Sequence, residues 1–269
     1  MPGGAQGAAE PLLETIWYAA AVAVIGGAGA YLTATRWARR DREAREAYGS
    51  IGLVLRRWAL GAAAALVLLA LVRVALRAGA DAGGMASIDE MSRVVSTTAW
   101  GTGWWAQLYV ALLALAGLLI AGRRQRQGWS LATAAALGVA YTLPMTGRDG
   151  AAVLERLPLA LTALHVFGVG VAIGVPLVLL AAGRSGVVPG GLVAAAKWTL
   201  GLGVALALAT GAAVAALRFG SVAALVESGA GRMVLVKLAA GTALAGLALT
   251  HPRAALAAAA AALLATALI

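Results

Sequence analysis

Residues 161–182 read LTALHVFGVGVAIGVPLVLLAA, from Leu161 to Ala182, with one histidine, His165, and no charged side chain. A bilayer's hydrocarbon core takes about 20 apolar residues in an α-helix, whereas soluble strands run about five or six. The stretch therefore predicts a membrane-spanning helix, whose own hydrogen bonds satisfy every backbone group away from water. Gly168, Gly170 and Gly174 leave its surface bare, as close helix packing in lipid requires. A histidine is costly at such a place and draws attention to function.

Outward from this run the pattern repeats. The chain is 62% hydrophobic with mean hydropathy +0.88, against about 45–50% apolar in soluble domains. Further apolar runs cover about Leu12–Thr33, Trp58–Val74, Trp104–Ala121, Leu131–Met145, Trp198–Ala216, Met233–Thr250 and Ala254–Ile269. With the run from Leu157 to Ala182 these predict an all-α, polytopic membrane helix bundle of about eight transmembrane helices. Residues 1–156 form an N-terminal half of four helices and 157–269 a C-terminal half of four, in a single membrane-embedded unit.

Charge sets the expected sidedness. Thirteen Lys and Arg fall at one set of loops and span ends: Arg36, Arg39, Arg40, Arg42, Arg45, Arg56, Arg57, Arg123, Arg124, Arg126, Arg184, Lys197 and Arg253. Six fall at the other: Arg77, Arg93, Arg148, Arg156, Arg218 and Arg232. Basic residues accumulate on the cytoplasmic side, so both termini are expected on the outer, periplasmic side of a bacterial inner membrane. The net charge of +10 is then a topological signal and implies no nucleic-acid partner. The Arg-rich stretch 36–57 suits a short charged helix on the membrane surface, with anionic lipid or simple orientation as its use. Ile88, Met91 and Val94 or Val95 recur at helical spacing, so Ser87–Val95 is expected to lie flat with one face in lipid. Without cysteine the chain has no disulfide and no thiolate metal site. Neither a P-loop nor a His-Glu-x-x-His nor a Gly-x-Ser-x-Gly occurs, and no catalytic pair is evident, so no enzymatic activity is expected.

Three motifs stand in order in the second half: Leu161-Thr-Ala-Leu-His165 followed by Gly174; Thr210-Gly211; and Gly231-Arg232-Met-Val-Leu-Val-Lys237-Leu238. Together they resemble the copper resistance protein D (CopD) family of inner-membrane proteins. Thr98-Ala-Trp-Gly101-Thr-Gly-Trp104 resembles that family's entry to its third span, and Thr146-Gly147 its Thr-Gly-His at the end of the fourth. The resemblance covers about residues 58–250. It departs from the family at Arg148, where a histidine is usual, and at Ala172, where a tryptophan is usual. It implies copper transport or delivery across the inner membrane, with a periplasmic copper-binding protein as a partner besides the lipid bilayer.

The candidate ligands follow from chemistry. Neutral imidazole and thioether sulfur both suit copper. His165, about eight residues into its span, and Met145, at the end of the fourth, would make a two-ligand site near the outer mouth if the bundle joins them. The other reading of His165 is an interhelical hydrogen bond, and of Met145 a filler of lipid-facing gaps. Gly168 and Ala172 follow His165 at helical spacing, so its face is open to a helix or a ligand. Lys237, Arg73 and Glu14 are intramembrane charges: Lys237 either snorkels or pairs with Glu14, and Arg73 is expected to snorkel. These three are read as gating or structural, not as ligands. Haem is the second cofactor weighed. His165 and His251 lie at different depths and cannot share one, which leaves only His165 with Met145. The alternative function is a non-catalytic subunit or anchor of a larger membrane complex, respiratory for example, that binds no metal.

Overall fold

The structure, a computed structural model, describes residues 4–39, 42–146, 156–183 and 190–229, and five further positions, 231, 232, 235, 236 and 239. Among the described residues every regular element is helical. The order is α1 (Gly4–Ala38), α2 (Arg42–Ala82), α3 (Ile88–Thr97), α4 (Ala99–Ile120), α5 (Gln125–Thr142) with a 3₁₀ turn Leu143–Thr146, α6 (Arg156–Gly183), α7 (Gly190–Phe219) and α8 (Val222–Glu227).

Five stretches are long and apolar enough to cross a membrane: Leu12–Ala38, Ala44–Ala82, Ala99–Ile120, Leu159–Gly183 and Ala194–Leu217. The chain is a membrane protein of helical type. The span expected at Leu131–Met145 is α5 and its 3₁₀ turn. Its opening Gln125-Arg126-Gln127 lowers its hydropathy, so α5 is not among the five. It nevertheless runs antiparallel along α4, from Gly128 beside Ala121 to Thr146 beside Gly103. The spans expected from Met233 onward fall largely or wholly outside the described residues.

The arrangement follows from where side chains are small. Helix α1 is the centre, packed by α2, α5, α6 and α7, and Ala21, Val24, Ile25, Ala28, Ala30 and Ala34 are buried along it. A methyl group on Gly26 would collide with the backbone of Gly174 in α6, and one on Gly174 with the carbonyl of Val22. Such backbone contact needs glycine on both sides, and dispersion over the touching surfaces replaces the hydrophobic force that lipid cannot supply. The α4–α5 seam is of the same kind: a Cβ on Gly117 would sit 2.7 Å from the nitrogen of Ala132. So is α6–α7, where a Cβ on Gly168 would sit 2.7 Å from the nitrogen of Ala207 and one on Gly203 2.9 Å from that of Ala172.

The Arg-rich stretch differs from the expected separate surface helix. From Arg42 it is the first part of α2. At 1.5 Å per residue α2 is about 60 Å long, about twice the hydrocarbon thickness. Packing holds this extension: Ala44, Ile51 and Leu55 are buried, and the Tyr48 hydroxyl lies 3.0 Å from Thr35 Oγ1 at the end of α1. Tyr31 in turn stacks on Trp129 of α5, centroids 4.2 Å apart.

Helix α3 lies where the amphipathic pattern put it but uses its apolar face differently. Val94 is buried, and Met91 and Val95 pack on the bundle core, while Ile88 remains 80% exposed. Its start is a capping box: Ser87 Oγ accepts from the Glu90 N–H at 3.2 Å, and Glu90 Oε2 accepts from the Ser87 N–H at 2.7 Å. Those bonds from Ser87 hold the Glu90 carboxyl below the usual carboxylate range. A carboxyl with a depressed folded pKa stabilises above its unfolded pKa and ceases to do so as pH falls through the folded value. Amide exchange in α3 is therefore expected to quicken as pH drops below about 4.5, after correction for intrinsic exchange. Ser87→Ala should raise that exchange about fivefold at neutral pH, from a cap of about 1 kcal/mol.

Candidate functional site

One end of the bundle carries a polar layer between α1, α2, α4 and the 3₁₀ turn. Arg73 of α2 is half-buried and donates from Nη1 to Gln107 Oε1 and from Nη2 to Thr146 Oγ1, both at 2.9 Å. Its guanidinium carbon lies 4.9 Å from the Trp17 ring centroid and 5.9 Å from that of Trp100, within cation–π range. Gln107, 1% exposed, donates its amide to the Thr142 carbonyl at 2.9 Å and to Thr146 Oγ1 at 2.8 Å. The Trp104 indole N–H donates to the Ala70 carbonyl at 2.7 Å. A guanidinium tolerates this depth because its donors meet oxygens and its faces meet rings. Arg73 thus turns into the bundle instead of snorkelling. Gln107 is one of the groups that hold it, and its signal was in the sequence: it is the one carboxamide inside an apolar run.

His165 lies near the same end. Ile25 faces Gly170, and Gly26 faces Gly174, with α1 and α6 running in the same direction. Counting back along both helices puts His165 within about one turn of the Trp17 layer. Its Nδ1 is 2.8 Å from the carbonyl of Ala207 in α7. A carbonyl only accepts, so Nδ1 carries a proton, and in the neutral ring the lone pair is on Nε2. The open face beside His165 takes a helix, α7, along the Gly168–Ala172 and Gly203–Ala207 seam. Thr210, in the second motif, is buried and donates to the carbonyl of its own helix at Leu206, 2.6 Å away.

Met145 is half-buried and lies against Gly103 of α4, and its 3₁₀ turn also packs on α6, the helix that carries His165. Glu14 is half-buried on α1, one turn before Tyr18. Lys237, Arg148 and His251 lie outside the described residues. In the third motif Gly231 is buried and Arg232 exposed, and Ser228 Oγ caps the turn that opens it by accepting from the Gly231 N–H at 3.0 Å. Among the described residues no three His, Cys, Asp or Glu side chains gather as a metal site.

No protein-family model matches the chain, nor does a curated protein or a solved structure.

Proposed function

We propose that the protein handles copper, by transport or delivery across a bacterial inner membrane, and that it belongs to the CopD family its motifs resemble. The observation that carries this reading is the tautomer of His165. Nδ1–H donating to a main-chain carbonyl is the usual partner arrangement of a metal-binding imidazole: it orients the ring and leaves Nε2 as the donor atom. A single imidazole, with the Met145 thioether as its one companion, is a weak site. Weak binding suits passage better than storage, since an ion in transit must also leave. The eight-span count and the periplasmic termini belong to the same proposal and are supported by the distribution of Lys and Arg.

Elemental analysis of the detergent-purified protein, grown with copper, tests the reading. Copper approaching one per chain in the native protein, lost in His165→Ala, is the expected result. Iron in place of copper would point to haem, and neither metal would contradict copper handling.

A second reading is favoured by Arg73. A guanidinium fixed by hydrogen bonds at the same end of the bundle as His165 disfavours an entering cation. A subunit or anchor of a larger membrane complex, free of metal, has no conflict with it. Stoichiometric partners retained in mild detergent, with no bound copper, would establish that reading.

A further inference from the structure

At the end of the bundle opposite Arg73, arginines from two parts of the chain meet. Arg56 and Arg57 close the extension of α2, Arg123 and Arg124 form the α4–α5 turn, and Arg126 stands in the first turn of α5. Two contacts fix the junction: the Arg56 guanidinium occupies the space a methyl group on Gly122 would need, and the Gln125 amide the space of one on Gly52. Arg56 is half-buried and the other four are exposed. Among the described residues none of the five is paired with a carboxylate, and the one ion pair is Arg42–Glu46, at 3.7 Å. The start of α5 adds to the field. Arg124 is its N-cap without a side-chain cap, and the first bond of that helix is from the Gly128 N–H to the Arg124 carbonyl at 2.9 Å. Its opening N–H groups carry the partial positive charge of a helix start.

We propose that this junction binds the phosphate of an anionic phospholipid. Charge complementarity favours a phosphate over a zwitterionic headgroup: the arginines add to one another, with no carboxylate paired to them among the described residues. Depth favours a lipid over a soluble polyanion. Trp58, directly after Arg57, is 51% exposed on α2, at the level where indoles meet headgroups, and from there α2 is apolar for several turns. Arginines at that level face the phosphate layer, and the guanidinium fork binds phosphate oxygens in pairs. Orientation during insertion uses the same charges but predicts no lipid preference in the folded protein, and that difference is measurable.

The test is native mass spectrometry of the full chain titrated with phosphatidylglycerol, with phosphatidylcholine, and with inorganic phosphate. Phosphatidylglycerol is expected to bind more tightly than phosphatidylcholine, and inorganic phosphate not to compete at equal concentration. At about 1 kcal/mol per arginine near a charged lipid surface, each loss costs about fivefold. The variant R123Q/R124Q/R126Q should then bind phosphatidylglycerol on the order of a hundredfold less tightly, while R93Q, on α3 at the other end, should bind as the native protein does. Should the triple variant fail to insert, R123Q and R124Q singly, each expected to lose about fivefold, decide the matter. Equal affinity for the two lipids, full competition by inorganic phosphate, or unchanged binding in the variants would overturn the site.

Discussion

Gly174→Ala is expected to lose about 2–3 kcal/mol of stability, and Gly174→Leu more. A single methyl group there meets the Val22 carbonyl and the Gly26 backbone, and neither can turn aside as a side chain would. The helices must separate, and α1 loses contact along the buried line through Ile25 and Val175. Gly201→Ala is the control. A Cβ at Gly201 meets nothing within 4 Å, so the change should stabilise α7, by about 0.5–1 kcal/mol, through helix propensity. Thermal unfolding of the two variants in one detergent should shift in opposite directions. A neutral Gly174→Ala would mean that α1 and α6 do not touch there.

The second large effect belongs to Gln107→Leu, expected to cost about 3 kcal/mol or more. The substitution removes the oxygen that receives Arg73 and the amide that serves Thr142 and Thr146. A half-buried guanidinium left with fewer acceptors costs more than the bond was worth. Arg73→Met in the same chain should recover part of the loss, because the guanidinium that lost an acceptor is then gone. A double-mutant cycle on thermal unfolding reads the coupling, expected at about 1–3 kcal/mol. Strict additivity would show that the two side chains act independently. On the copper-handling proposal, Arg73→Met removes a positive charge from the end of the bundle where His165 lies and should raise any copper flux while lowering stability.

Much of the bundle was legible because lipid imposes one rule on composition. The apolar runs around Leu12–Thr33, Trp104–Ala121 and Leu157–Ala182 became helices at nearly those bounds. The expectation was weaker where tertiary packing overrides local pattern. The charged stretch 36–57 reads as a short separate helix on the membrane surface, yet from Arg42 it is the first part of the long α2, because Ala44, Ile51 and Leu55 are buried in the bundle. Arg42, Arg45, Glu46 and Arg57 are exposed and reveal nothing of that face. Helix α5 shows the converse. Its Gln-Arg-Gln opening is polar, but Gly128, Ala132 and Ala136 match small residues of α4, and this complementarity between two distant stretches is invisible in either alone.

The site divides along the same line. His165 was legible as a histidine in hydrocarbon, and Arg73 as a charge near a helix end. What they touch was not. The lone Gln107 in its apolar run marks a polar layer, but its pairing with Arg73 and Thr146 depends on the crossing of α2, α4 and the 3₁₀ turn. Likewise the bare face beside His165 admits a ligand or a helix equally well in sequence. The glycines of α7, Gly203 above all, decide for the helix by coming within backbone distance.

The central claim is that His165 presents the Nε2 lone pair to copper. The most direct measurement is the ¹⁵N spectrum of histidine-labelled protein in detergent at neutral pH, before and after addition of Cu(I). One resonance set belongs to His165 and one to His251, assigned with His165→Ala. The account predicts a protonated Nδ1 and an unprotonated Nε2 in His165, with the Nε2 signal displaced by Cu(I). A proton on Nε2 with Nδ1 bare, or an Nε2 signal indifferent to Cu(I), would contradict it.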